Sequence, residues 1–368
     1  MSKKPDPLVI GDLTIKVPII QGGMGVRIST SSLAAAVADC GAAGTIASVG
    51  LPPDNDENRS DVPKSSREHL QKEIRRAREL SDGVIGVNIM VALSNYEDMV
   101  RTAAKEDIDY IISGAGMPIS LPEFAEGSSV KLIPLIASAR GAGILLKTWK
   151  RRYNRFPDAL VVEGPLSGGH IAGYSLEELQ ALKGNLREKP LLENAVRDVL
   201  SLTREYEKEY GISIPVIAAG GIFDGRDAAG FFKLGVKGVQ LGTRFVATFE
   251  CSAAEEFKQL YVNAKESDLV FIQSPVGMPA KVIRTKFLDD VLRGEKKDFT
   301  CNYQCLRTCD PATVPYCIAK ALIDAVEGDI DNAVVLAGTN VSKITKIVSV
   351  KDLINEIMDE LSEELGKD

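Results

Sequence analysis

Side chains able to do chemistry are sparse in this 368-residue chain and gather in two places. The first is a loop. An apolar run, Ala159 to Val162, leads into Glu163-Gly-Pro-Leu-Ser-Gly-Gly-His170, which holds one of only two histidines. Gly164, Gly168, Gly169 and Gly173 let the backbone approach a flat ligand closely and bare N–H groups that side chains would cover. An imidazole on such a loop can change charge near neutral pH. A tight turn with a surface histidine would read the same way, so the weight of the motif depends on its surroundings. The second place is Cys301-Asn-Tyr-Gln-Cys305-Leu-Arg-Thr-Cys309, followed by Cys317. Four thiols this close can bind a metal ion or an iron–sulfur cluster. On a helix the first three would share one face. The spacing matches neither the ferredoxin runs nor paired Cys-x-x-Cys, and reduced thiols packing as small hydrophobes are the competing reading. Cys40 and Cys251 read as core residues, and His69 and Trp149 receive no role.

Composition narrows the partners. Apolar content of 45% with 26% charged residues suits a globular protein with ample core. A net charge of −7 without a basic run argues against nucleic acid and anionic membrane. No apolar stretch is long enough to span a bilayer, and the N-terminus lacks a signal-peptide core. The expectation is a cytoplasmic protein with a small-molecule substrate, open to homo-oligomer formation, whose six cysteines are free thiols or ligands.

The elements that must hold His170 recur regularly. Strands are expected at 17–20, 43–48, 83–90, 110–115, 131–137, 159–162, 214–219 and 238–245. Helices are expected between them, at 31–40, 67–80, 95–105 and 141–151. A longer helical stretch from 176 to 210 should break near Gly184 and Pro190, and a short helix capped near Asp224 should stop at Gly235. Residues 52–66 read as a loop. The strands are continuous apolar runs, as buried parallel strands are. Eight such units in about 245 residues predict an α/β fold of the (β/α)8 TIM barrel type rather than a doubly wound sheet. The unusual polar and glycine residues fall at the C-terminal ends of these strands, the face where such barrels hold their active sites.

Two of those ends carry Ala219-Gly-Gly-Ile222 and Gly242-Thr243, placed where such barrels bind phosphate. Gln21-Gly-Gly-Met-Gly25 and Asn88 lie across the mouth and could cover a large flat ring, which suits FMN better than a sugar phosphate.

Together, Pro18-Ile-Ile-Gln-Gly-Gly-Met-Gly25, Gly86-Val-Asn-Ile89, Ser113-Gly-Ala-Gly116, Glu163 with Gly168-Gly-His170, Pro215 to Ile222 and Gln240-Leu-Gly-Thr243 resemble the nitronate monooxygenase (2-nitropropane dioxygenase) family and its relative, the flavin-dependent enoyl-ACP reductase. The resemblance implies noncovalent FMN held by Gly22, Gly23, Met24, Asn88, Gly168, Gly169, Ala219, Gly220, Gly221, Gln240, Gly242 and Thr243. It implies that Met24 and Asn88 lie near the isoalloxazine and that His170 faces substrate as the catalytic residue. It also implies a helical cap inserted after strand eight. The division expected is a barrel over 1–250, a cap with the Cys-rich segment over 251–315, and C-terminal helices over 316–368. The family loop usually reads Glu-Ala-Gly-Gly-His, and Pro165-Leu166-Ser167 departs from it.

Three functions are in view. In the first, alkyl nitronates are oxidised with O2 to a carbonyl compound and nitrite. Protonated His170 would then hold the anion, or neutral His170 would take the α-proton of a nitroalkane. In the second, NAD(P)H reduces the flavin and an enoyl thioester is the acceptor. In the third, the chain is a flavin- or metal-binding redox sensor in which Cys301, Cys305, Cys309 and Cys317 matter and turnover does not.

Overall fold

The computed structural model describes residues 3–50, 61–182, 185–186 and 190–367. Eight parallel strands form one sheet: β1 (Ile19–Gln21), β2 (Gly44–Ala47), β3 (Ile85–Met90), β4 (Tyr110–Gly114), β5 (Lys131–Ile136), β6 (Leu160–Glu163), β7 (Val216–Ala219) and β8 (Gly238–Leu241). Each pairs with its sequence neighbours, and β8 pairs with β1 through Val239↔Ile19 and Leu241↔Gln21. The ring closes between β1 and β2, where Ala43 N donates to Ile19 O and Gln21 N donates to Ala43 O, both at 2.9 Å. The fold is a (β/α)8 barrel.

The continuous apolar runs follow from this closure. Successive side chains on a strand point to opposite faces, and in a closed barrel both faces are buried. Tyr110, Ile112, Ile133, Val161 and Ile217 fill the interior, together with Leu8, Ile10 and Ile15 of the N-terminal hairpin. Their neighbours Ile111, Leu132, Leu160, Val162 and Val216 point outward against the helices. Leu8 packs beside Gly238 at the start of β8, so the hairpin covers the N-terminal end of the barrel. Only the C-terminal end is left for a ligand.

Several boundaries move. The helix expected from Arg67 spans Val62–Leu80, because Asp61 caps it by accepting from Lys64 N at 3.0 Å and Pro63 suits a first turn. The remainder of the loop expected over 52–66, up to residue 60, lies outside the described residues, as does Gly184. The helix Gly225–Leu234 is capped by Asp224 and ends at left-handed Gly235. The eighth strand stops at Leu241 instead of running to Phe245, since Gly242 turns the chain into a short helix, Thr243–Val246. Trp149 is fully buried and donates to Pro118 O at 3.1 Å, and Cys251 is buried while Cys40, at a helix end, is half-buried.

The segment after β8 is more than helical. Besides helices Glu255–Asn263 and Lys286–Leu292, it holds strands Leu269–Gln273 and Pro279–Ile283, joined by a turn. The second strand pairs with Val335–Leu336 and with the two-residue strand Gly169–His170. The chain from Lys296 to Tyr316 forms neither helix nor strand, and Gln304 at φ 40° lies outside helical conformation. Cys301, Cys305 and Cys309 therefore do not share a helix face.

Candidate active site

The C-terminal mouth of the barrel opens into a cavity of about 260 Å3. Gly22, Gly23, Met24, Asn88, Gly168, Gly169, His170, Ala219, Gly220, Gly221, Gln240, Gly242 and Thr243 all line it. The first loop is fixed from β1. Gln21 is fully buried, accepts from Thr45 N at 2.9 Å and donates to Ser29 Oγ at 2.7 Å, while Gly22 N donates to Leu241 O at 2.8 Å. Gly23 lies so close to Asn88 that a Cβ would fall 2.2 Å from the Asn88 Cβ, so glycine is required there. On the far side, Gly220 and Gly221 follow β7 at φ 96° and 82°, a conformation that favours glycine.

The C-terminal segment joins these loops. Gly338 N donates to Thr243 Oγ1 at 3.0 Å, Asn340 Nδ2 donates to Gly221 O at 2.6 Å, and Thr339 N donates to Leu166 O at 3.1 Å. Gly338-Thr-Asn340 is thus tied to both loops that end β7 and β8.

His170 is held by the cap rather than by the barrel. Its backbone pairs with Ala280, and its Nε2 is 2.8 Å from Ser274 Oγ, which also accepts from Val276 N at 3.3 Å. Burial holds its pKa down to about 4, so the imidazole is neutral at pH 7. Glu163, enclosed except toward the cavity it lines, is shifted the other way. Burial pushes its carboxyl up to about 8, although the positive charge of Lys281 pulls downward. At neutral pH the mouth thus offers a neutral imidazole and a largely protonated carboxyl.

Lys281 carried no role in the sequence reading. It is only 3% exposed, and its Nζ donates to Pro165 O at 2.8 Å, to Ser167 O at 3.3 Å and to Thr339 Oγ1. Two of these acceptors belong to the loop that leads to His170. The available signal was a lysine inside the apolar run Pro279-Ala-Lys-Val-Ile283, where a charge has to find buried partners. Ser274, from the loop Ser274-Pro-Val-Gly-Met278, was recognisable only once the hairpin had folded over the mouth.

The cysteines divide. Cys305 lines the cavity, and burial is the first cause raising its thiol to about 12, so it is no ready nucleophile. Cys301, Cys309 and Cys317 do not line it but lie near enough for their charges to act on Cys305. Among the described residues, no three His, Cys, Asp or Glu side chains converge on a single metal position.

Comparison with known proteins decides the family. The nitronate monooxygenase family model matches residues 6–110 and 94–360. The chain belongs to the nitronate monooxygenase family. It is accordingly a flavin-dependent oxidoreductase. A probable nitronate monooxygenase of Staphylococcus saprophyticus is 27% identical over 307 residues, covering 76% of this chain and 79% of that protein. A Mycobacterium tuberculosis dehydrogenase of a hydroxy-methyl-oxo-octahydroindene-carboxyl-CoA is also 27% identical, over 77% of this chain and 67% of that protein. FabK of Thermotoga maritima superposes with a TM-score of 0.71 at 29% identity, covering 96% of this chain and 95% of that one. Nitroalkane oxidase of Streptomyces ansochromogenes has a TM-score of 0.72 at 18% identity, a likeness of fold. Among the described residues of this family member, no helix is long and apolar enough to cross a membrane.

Proposed function

We propose that the cavity holds FMN and that the enzyme carries out nitronate-monooxygenase-type oxidation, converting a nitroalkane or its nitronate with O2 to a carbonyl compound and nitrite. Two buried polar atoms support a polar guest. Ser167 Oγ and Gln240 Oε1 belong to lining residues and have no hydrogen-bond partner within the protein. An unpartnered buried polar atom costs about 1–3 kcal/mol, and a ribityl chain or ring edge would satisfy both. The phosphate fits at Gly220, Gly221, Gly242 and Thr243, whose loops are glycine-rich and tied together by Gly338 and Asn340. Asn88 and Gly22 to Met24 flank the space for the ring.

The observation that carries the reaction is His170: half-buried, neutral, on the cavity wall and anchored at Nε2 by Ser274. A neutral imidazole makes no ion pair with a nitronate, so the protonated alternative is set aside. If Nε2–H donates to Ser274 Oγ, the remaining ring nitrogen is free to take the α-proton of a nitroalkane. The apolar wall of Met90, Leu135, Val276 and Met278 excludes water from the carbanion that results. Bound flavin supplies a one-electron acceptor beside that carbon, and O2 completes the oxidation.

A second reading is favoured by one feature: the cavity lining contains no Lys or Arg among the described residues. That suits a neutral acyl thioester, reduced at the expense of NAD(P)H. The CoA-ester dehydrogenase among the relatives points the same way. In that case Ser274 would donate to Nε2, and His170 would donate to the developing enolate oxygen.

One pair of measurements separates the two. Nitrite release from a nitroalkane in air, with a flavin that stays oxidised when NADH or NADPH is added without oxygen, is expected. Rapid anaerobic bleaching by a nicotinamide with no nitrite would overturn the nitronate reading in favour of the thioester one.

A further inference from the structure

The cysteine group remains outside this chemistry. Four of six cysteines fall between Cys301 and Cys317, and all are free thiols. They are not gathered by regular structure, because the chain there has none. Each thiol nevertheless lies within electrostatic reach of the other three. The path that brings them together is fastened to the barrel mouth. Ser94 N donates to Cys305 O at 3.1 Å, Arg307 N donates to Ala92 O at 3.1 Å, and Leu306 bridges Leu93. Cys317 adjoins helix Ile318–Glu327, whose first turn also lines the cavity.

Space-filling accounts poorly for this arrangement. Cys305 and Cys309 pack against the edge of the core, but Cys301 and Cys309 stay half-exposed, where a thiol invites oxidation. A single zinc ion fits no better. Its Zn–S bonds of about 2.3 Å would draw four sulfurs to about 3.8 Å from one another, and no three ligands converge in that way here. A four-iron cluster instead spreads its thiolates over four corners, one cysteine to each iron. A wider group made only of soft sulfur ligands suits it.

We propose that Cys301, Cys305, Cys309 and Cys317 hold a [4Fe–4S] cluster at the edge of the flavin cavity, where Cys305 forms part of the wall. The cluster takes one electron at a time from a one-electron carrier protein on the half-exposed Cys301 and Cys309 side. It passes each electron inward, so that two passes complete the two-electron reduction of the flavin. This supply serves the thioester-reducing reading, since a flavin that oxidises a nitronate takes its electrons from the substrate. Cluster binding stands without either functional reading, and only the electron route rests on flavin binding and on the thioester-reducing reading.

The full chain is purified without oxygen and reconstituted with ferrous iron and sulfide. Iron, acid-labile sulfide and flavin are then measured separately, with EPR spectra before and after dithionite. About four iron and four sulfide per chain are expected, with a cluster signal on reduction. In Cys301→Ala/Cys309→Ala, iron and sulfide should fall to background while flavin content and melting temperature hold. Zinc without sulfide, disulfides in place of metal, or cluster loading unchanged in the double variant would each overturn the proposal. A chain that loads the cluster but no flavin would leave the site standing and remove the flavin reading. The reverse result would remove only the cluster.

Discussion

Lys281→Met removes a buried cation while keeping most of its length. In the native protein the ammonium donates to Pro165 O, Ser167 O and Thr339 Oγ1, and it opposes the upward shift of Glu163. The three bonds from this charged donor contribute about 1.5–3 kcal/mol each. Against this stands the desolvation of the ammonium, several kcal/mol, which the variant no longer bears. The opposing terms leave about 2–4 kcal/mol of destabilisation, read as a reduced urea midpoint with an unchanged m-value. Because the acceptors belong to the loop that leads to Gly168, Gly169 and His170, flavin affinity should fall as well. The pKa of Glu163 should rise above about 8, since the charge that lowered it is gone. Denaturation, flavin titration and carboxyl titration by infrared difference spectroscopy make up the assay. A midpoint and flavin affinity equal to wild type, or a Glu163 pKa that falls, would refute the reasoning.

His170→Ala should retain flavin and lose turnover by about 100-fold or more, the usual contribution of a positioned base; loss of flavin would instead make His170 structural. Gly242→Val tests the phosphate position. A Cβ there meets Met24 Sδ at 3.5 Å, an ordinary contact, so the protein should fold while flavin affinity drops; unchanged affinity would refute the assignment. The pH dependence of stability has a definite sign. Between pH 4.5 and about 8 the folded chain keeps the Glu163 proton that the unfolded chain has lost, so this group's contribution falls as pH rises. Glu163→Gln should therefore gain on wild type across that window in urea denaturation. His170 acts oppositely. Its contribution is lost as pH falls from 6.5 to about 4, and His170→Gln should gain on wild type there.

The barrel was legible because its physics is local. Runs such as Leu160-Val-Val162 show burial on both faces, and glycines at strand ends show where a backbone must turn or be approached. Every residue expected to hold the flavin, and His170 with them, lines a single cavity because strand order in a barrel is sequence order, whereas Gln21 lies beneath it. What stayed hidden depends on contacts across the chain. Lys281 meets Pro165 and Ser167 from more than a hundred residues away, and Ser274 reaches His170 across 104 positions. Glu163 was legible as a motif residue, but its raised pKa comes from enclosure that only folding creates. The Cys301–Cys309 spacing suggested a helix face, and the positive φ at Gln304 that excludes helix there has no signal in a glutamine.

The two halves of the site therefore have different origins. On the proposed reading, the flavin side is built from strand ends and glycines of the barrel, whose geometry is set by the closed sheet. The side proposed for substrate is built by the strand Pro279–Ile283, which pairs with Gly169–His170, places Lys281 under the loop and is joined through its turn to Ser274. Substitutions in Ser274 to Ile283 can move the imidazole and the wall at Val276 and Met278 without touching Gly220, Gly221, Gly242 or Thr243. A barrel of this kind can keep its flavin chemistry while the hairpin above it sets which carbon acid or thioester reaches the ring. The departure at Pro165-Leu166-Ser167 falls at that seam, where Lys281 reaches down and Ser167 Oγ waits for a partner.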